Sequence, residues 1–250
     1  VTGASGGLGH AFARALARRG WALLLHGRRR AAMEALAHEL PTKTEIATGD
    51  LRDARAREAL ITVAKAKRIA GFVNNAGLGY WGGFADLAWE RHEEVLCVDL
   101  VAAMSLAHAL VPALCAARGF LINVSSLAGE HPLPFMSSYA AAKAGLTAFS
   151  ESLRAELRRK LAVVTLAPGP SPTGFRRISG MPKGPGGLFS TPPEVVVEKA
   201  IAMAERGGGF CVPGVRHKAL FWLARLVPRG LGARVLARRI SPERLEDVAG

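Results

Sequence analysis

From residue 22 to residue 166, short apolar runs of strand length alternate with segments of helical length. Residues 22–25, the stretch around Ile46, and residues 71–73, 120–124 and 161–166 read as strands; residues 31–40, about 52–67 and 139–160 read as helices. Continuously apolar strands are buried on both faces of a sheet, and strands separated by helices return parallel through right-handed crossovers. The alternation therefore predicts an α/β fold, a doubly wound parallel sheet in a three-layer αβα arrangement. Half of the 250 residues are apolar, which fills such a core and excludes a disordered, collagen-like or coiled-coil chain. Residues 100–117 run 18 positions without a formal charge but include Ser105, His108 and Pro112. That stretch is expected as a buried or interface helix rather than a membrane span.

Two segments break the rhythm. Between Pro168 and Pro193, 13 of 26 residues are Pro or Gly, which predicts a long loop of the kind that forms a lid. It is expected to end with Thr191 as a helix N-cap, Pro192 in the first turn and Glu194 closing a capping box. The second is the C-terminal segment from about residue 207.

At the start of the chain, Thr2-Gly3-Ala4-Ser5-Gly6-Gly7-Leu8-Gly9 stands where a first strand should end, with a helix expected over 11–19. The chain opens on Val1 rather than Met, so residues ahead of it are expected to be missing from this sequence. Glycines let the backbone turn tightly and approach a pyrophosphate, whose charge then meets the amides of a helix N-terminus. Gly3, Ser5, Gly7, Leu8 and Gly9 are the candidate contacts. A site for a free adenosine ribose would carry a carboxylate at the end of the next strand. The sequence there is His26-Gly27-Arg28-Arg29-Arg30. Guanidinium groups at Arg28 and Arg29 suit a ribose 2′-phosphate, and one such charge-assisted bond, at roughly 1.5–3 kcal/mol, favours NADP over NAD about 10–100-fold. The expected cofactor is NADP(H). A plain tight turn followed by a solvated basic turn is the competing reading.

Further motifs stand in fixed order: Asp50-Leu51, Asn74-Asn75-Ala76-Gly77, Ser126, then Tyr139 and Lys143 at spacings of 13 and 4, then Pro168-Gly169 with Thr173. With the glycine turn, this set resembles the short-chain dehydrogenase/reductase family over almost the whole chain to about Val212. The resemblance implies a Rossmann-type fold with Asp50 and Leu51 at the adenine. It implies Asn75, Ala76 and Gly77 closing a strand beside the cofactor, and Pro168, Gly169 and Thr173 over the nicotinamide. It further implies that Lys143 binds the nicotinamide ribose. The expected domain covers residues 1–212, with a basic amphipathic helical tail over 213–250 that packs on or extends it.

The chemistry agrees. Tyr139 and Lys143 are one helical turn apart and share a face. A tyrosine near pKa 10 is a poor proton carrier at neutral pH, and a neighbouring ammonium draws it toward the working range. Tyr139 would then exchange a proton with a carbonyl or alcohol oxygen that Ser126 orients, interconverting a ketone or aldehyde and an alcohol. One residue departs from the family pattern, which has Asn within Val-Asn-Leu: here the sequence is Val98-Asp99-Leu100. A main-chain role would survive the change, whereas an ionised Asp99 near Lys143 would stabilise the ammonium and weaken its pull on the phenolate. A catalytically silent NADP-binding regulator, or a membrane-associated interaction protein, is the alternative; the complete Ser-Tyr-Lys spacing speaks against it.

Other signals are thinner. Seven histidines show no metal-ligand spacing, and no metal site is expected. His92 and His131 are expected in core or surface roles, while Tyr80 and Trp81 either line a pocket or pack locally. Cys97, Cys115 and Cys211 form no disulfide or zinc pattern and fit a cytoplasmic, reducing setting. The net charge of +13 is concentrated: Arg206 to Arg239 holds eight basic residues and no acid. Apolar residues from Ala219 to Val227 and from Leu231 to Ile240 predict two short amphipathic helices separated by Pro228 and Gly230. The leading use is a substrate lid or subunit contact, ahead of an anionic membrane surface reached through 215–240 on the inner face. Nucleic acid is set aside because no binding motif accompanies the charge. The lid and tail favour a hydrophobic substrate, and a homodimer or homotetramer is expected from the resemblance.

Overall fold

The computed structural model describes residues 1–181, 190–224 and 226–241. Its strands are β1 (Leu23–Gly27), β2 (Thr44–Thr48), β3 (Gly71–Asn74), β4 (Phe120–Val124), β5 (Ala162–Leu166) and β6 (Gly208–Cys211). All pair in parallel, β2 on β1 and β3–β4–β5–β6 in sequence. Residues 1–4 join the two ladders: Thr2 N–H donates to Val73 O at 3.0 Å, His26 N–H to Val1 O at 2.9 Å and Ala4 N–H to His26 O at 2.9 Å. Strand order thus runs outward in both directions from the chain start, the doubly wound arrangement in which ligands bind beyond the carboxyl ends of the strands.

Successive residues of each strand feed opposite layers. Leu25, Ile122 and Val164 pack with Phe12 and Leu16 of α1 (Gly7–Arg18), Leu36 of α2 (Arg30–Glu39) and Ile201 of α8 (Pro193–Glu205). Phe72, Leu121 and Val163 pack with Leu60 of α3 (Ala54–Ala66), Leu110 of α5 (Ala103–Ala116) and Phe149 of α6 (Ser137–Glu156). The uncharged stretch is a core helix: Leu106, Leu110 and Leu114 are buried on the sheet, while Val101 and Met104 face outward. α4 (Trp89–Leu96) runs into α5 through a wider π-type turn, Cys97–Ala102.

The structure corrects several local expectations. α1 begins at Gly7, a turn earlier than the apolar pattern indicates, because close packing rather than helix propensity dictates its first turn. β6 lies in Gly-Gly-Phe-Cys, a poor strand former, and exists through its ladder with β5. The lid loop contains a short helix, α7 (Phe175–Ser179), and its residues 182–189 lie outside the described ones. Thr191 does not cap α8: Pro192 holds that position without a side-chain bond, and the Thr191 hydroxyl pairs instead with His217 Nδ1 at 3.0 Å. The tail forms α9 (Val215–Ala224) and α10 (Arg229–Ile240), with Pro228 at the boundary and Gly230 inside α10. Residues 242–250 of the expected tail lie outside the described ones.

Candidate active site

The glycine turn lies at the carboxyl ends of β1 and β3. Gly3 and Gly7 hold left-handed backbone, with φ of 65° and 55°, and a Cβ on Gly9 would stand 2.2 Å from Gly3 O. Only glycine permits this fold-back, which brings the amino end of α1 to the turn and shapes a cradle for a pyrophosphate. The Asn75 and Ala76 amides both donate to Thr2 Oγ1 at 3.0 Å, and Asn75 Nδ2 donates to Thr2 O at 2.9 Å. Ser5 and Leu8 lie within the turn, where Ser5 O accepts Arg29 Nη2 at 2.5 Å. Arg28 reaches toward Asp50 at 4.0 Å, whereas Arg30 turns along its own helix to Glu34 at 2.7 Å. Two of the three arginines therefore stay by the glycine turn and Asp50. Asp50 is held by Arg52 Nη2 at 2.7 Å, and Leu51 is buried beside it.

The second cluster lies across the sheet ends. Ser126 follows β4 and caps a short turn, its Oγ accepting the Ala128 amide at 3.1 Å, which leaves the hydroxyl proton free to donate. Tyr139 and Lys143 face it from α6. Lys143 Nζ sits 5.7 Å from the Tyr139 ring centre, donates to Val124 O at 2.9 Å and lies 3.1 Å from Asp99 Oδ2. Pro168 O accepts the Leu127 amide at 3.1 Å, and Thr173 packs on Gly7, so the Pro-Gly loop spans from the catalytic turn to the glycine cradle. Phe175 of α7 covers Tyr139, ring centres 5.3 Å apart. A cleft of about 420 Å³ is lined by Val1, Thr2, Trp21, Leu60, Gly71 and Phe120 and includes neither Ser126, Tyr139 nor Lys143.

Residues 1–180 match the profile of the short chain dehydrogenase family. The chain belongs to that family. It is 33% identical over 183 residues to sulfoacetaldehyde reductase 2 of Chromohalobacter salexigens, covering 70% of this chain and 73% of that protein. A short-chain dehydrogenase from Sphingobium yanoikuyae in complex with NADPH superimposes with a TM-score of 0.80 at 26% identity, over 93% of this chain and 94% of that one. A 7β-hydroxysteroid dehydrogenase superimposes at 0.84 with 25% identity over 95% of both chains. The chain is an oxidoreductase of alcohol and carbonyl groups on the family's Rossmann-like fold.

In this short-chain dehydrogenase the electrostatics differ from the simple expectation. Burial raises the Tyr139 phenol above its ordinary value, and Asp99 reinforces the rise; Lys143 and the Ser126 hydroxyl oppose it without reversing it. Burial lowers the Lys143 ammonium, but Asp99 and Tyr139 outweigh it and hold the group above its usual value.

Of the scaffold of the site, the sequence pattern singled out only Asn74, as part of a motif, and not its partners Asn123 and Thr165. Asn74, Asn123 and Thr165 stand in one row across β3, β4 and β5. Asn74 Nδ2 donates to Ala103 O at 3.0 Å and to Asn123 Oδ1 at 3.1 Å, Asn123 Nδ2 donates to Ser150 Oγ at 2.9 Å, and Thr165 Oγ1 donates to Glu151 Oε1 at 2.6 Å. This row fastens α5 and α6 to the sheet. Its visible signal was polar residues inside otherwise apolar strands. His92 is buried between Ser138 Oγ at 2.7 Å and Phe84 O at 3.0 Å, a positioning contact beside Tyr139. Tyr80 donates to Glu94 Oε2 at 2.5 Å, and Trp81 stacks near Phe135. From α9, buried His217 lies against the Gly169 backbone, and buried Phe221 approaches His131 with ring centres 6.4 Å apart. Among the described residues no group of His, Cys, Asp and Glu is placed to hold a metal ion.

Proposed function

We propose that this short-chain dehydrogenase interconverts an apolar ketone or aldehyde and its alcohol with NADP(H). The observation that carries the reading is the facing of Ser126 by Tyr139 and Lys143, one turn apart on α6, beside the glycine cradle. When bound, the dinucleotide supplies or takes the hydride. Ser126, oriented by the Ala128 amide, hydrogen-bonds the substrate oxygen and holds it toward Tyr139. Tyr139 gives that oxygen a proton as the carbon is reduced, or takes it in the reverse direction. Lys143, fixed by Val124 O, holds positive charge under the phenol and is placed to bind the nicotinamide ribose. Gly3, Gly7, Gly9, Asn75, Ala76, Gly77, Pro168, Gly169 and Thr173 form the cofactor's bed.

NADP over NAD is supported by exposed Arg28 and Arg29 at the end of β1, and by likeness to an enzyme solved with NADPH. An apolar substrate is supported by the covering of Tyr139: Phe175 over its ring, and Met136 beside both at Gly79. α9 acts as a roof brace through His217 and Phe221. α10, none of whose described side chains is buried, presents Leu231 and Val235 beside Arg234, Arg238 and Arg239. That combination supports peripheral contact with an anionic membrane surface by a cytoplasmic enzyme. Val101 and Met104, exposed on the core helix, support a homo-oligomer.

The test is NADPH consumption over a panel of apolar aldehydes and ketones. Replacing Tyr139 by Phe is expected to lower kcat about 10²–10⁴-fold with NADPH binding retained. Undiminished turnover in that variant would remove Tyr139 from the proton transfer.

A further inference from the structure

We propose that Asp99 is a fixed counter-ion to Lys143 that offsets the pull of the ammonium on Tyr139 and so keeps the phenol protonated around neutral pH. The inference rests on Tyr139 being the proton carrier, and it adds a charge balance that the Ser-Tyr-Lys arrangement alone does not contain.

The pair is built into the core. The wider turn Cys97–Ala102 carries Asp99 inward, where it has no solvent exposure. Its Oδ1 accepts the Leu78 amide at 2.8 Å, and its Oδ2 faces Lys143 Nζ at 3.1 Å. Lys143 is itself 3% exposed. The bare backbone of Gly77 makes this possible, because a Cβ there would stand 3.0 Å from Asp99 Oδ2 and 3.3 Å from Lys143 Nζ. An Asn at position 99 could keep the bond to Leu78 but would carry no charge.

Charge is therefore what the Asp adds: burial raises its carboxyl above the usual range, and Lys143 and the Leu78 amide oppose that rise by favouring the carboxylate. A lone ammonium beneath a phenol favours the phenolate; an ammonium paired with a carboxylate presents a nearly neutral dipole and favours it far less. The groups facing the phenol are Lys143 from its own helix, Asp99 from the turn between α4 and α5, and the Ser126 hydroxyl after β4. Phe175 of α7 closes over the ring and brings no charge. Burial and Asp99 push the phenol up while Lys143 and Ser126 pull it down, and the balance is upward. Reduction requires the protonated phenol, so its rate holds through neutral pH and falls as pH rises through the raised pKa. Oxidation requires the phenolate and climbs over that same alkaline range.

The chain has only two tyrosines, Tyr80 and Tyr139, so a Tyr80→Phe background leaves Tyr139 as the single phenol. Its ionisation can be followed by absorbance at 295 nm in the protein without cofactor. In that background the midpoint is expected above the ordinary value of about 10, and Asp99→Asn is expected to lower it by about one unit or more. In parallel, the alkaline fall of NADPH-linked reduction and the alkaline rise of NADP⁺-linked oxidation should both move to lower pH with that midpoint. Equal midpoints with Asp and Asn overturn the proposal. If Asp99→Asn does not fold, a Tyr139 midpoint at or below about 8 in the Tyr80→Phe protein, well under the ordinary phenol, overturns it equally. An active wild-type enzyme with no midpoint shift refutes the role of Asp99. A clear shift in a protein without NADPH-linked reduction instead refutes the assignment of the reaction.

Discussion

α6 and α10 are both helices with cationic residues, yet they are held by different forces. α6 is fastened to the sheet by buried polar contacts specific to single atoms: Asn123 to Ser150, Thr165 to Glu151, and Ser125 Oγ to Lys143 O at 2.9 Å. None of the described side chains of α10 is buried, and Arg234 Nε donates within the helix itself, to Gly230 O at 3.2 Å. Burying a polar group is tolerated only when its partners are in place, so the α6 region admits one arrangement. An exposed arginine on α10 can exchange such a bond for solvent at little cost, so its geometry is not enforced. A catalytic tyrosine needs the first kind of support. A surface meant to meet a soft, charged partner can work with the second.

The contrast makes ordered predictions. Asn123→Leu removes the acceptor of Asn74 and the donor to Ser150 in the interior, and should cost about 2 kcal/mol, seen as a Tm lowered by roughly 4–8 °C for a chain of this size. A Tm within a degree of wild type would mean that the polar row does not secure α6. Arg29→Ala stands next: its head group is exposed and bonded to Ser5 O, so stability should hold while the KM for NADPH rises about tenfold or more, with NADH unaffected. Equal losses with both cofactors would place Arg29 outside the 2′-phosphate site. The smallest effect on the folded enzyme is expected from Leu231→Asp with Val235→Asp, which should leave Tm and kcat unchanged. Co-sedimentation with phosphatidylglycerol vesicles should nevertheless fall severalfold. A drop in Tm would show α10 to be packed like α6 after all.

The legible part of the site was the part written locally. Tyr139 and Lys143 declare their relation by a spacing of one helical turn, and the glycine turn declares itself by composition. Asp99 was visible as an unusual residue in its motif, but its approach to Lys143 joins positions 44 apart in the chain and depends on a wide helical turn and on Gly77. The direction of the Tyr139 shift was also out of reach, because burial outweighs the neighbouring ammonium and burial is not a property of spacing. Thr191 misled for a related reason: its hydroxyl suits a cap in isolation, yet His217 of α9 competes for it successfully.

By itself the sequence determined the alternation of elements, the parallel sheet, the glycine turn and the order of Ser126, Tyr139 and Lys143. Each follows from periodicity or from steric limits acting over a few neighbours. Only the tertiary structure decided that Gly208–Cys211 is a strand, that His217 and Phe221 bring α9 back onto Gly169 and His131, and that Lys143 has a buried counter-ion. Those outcomes depend on which surfaces exclude water together, and solvent exclusion is set by residues far apart in the chain.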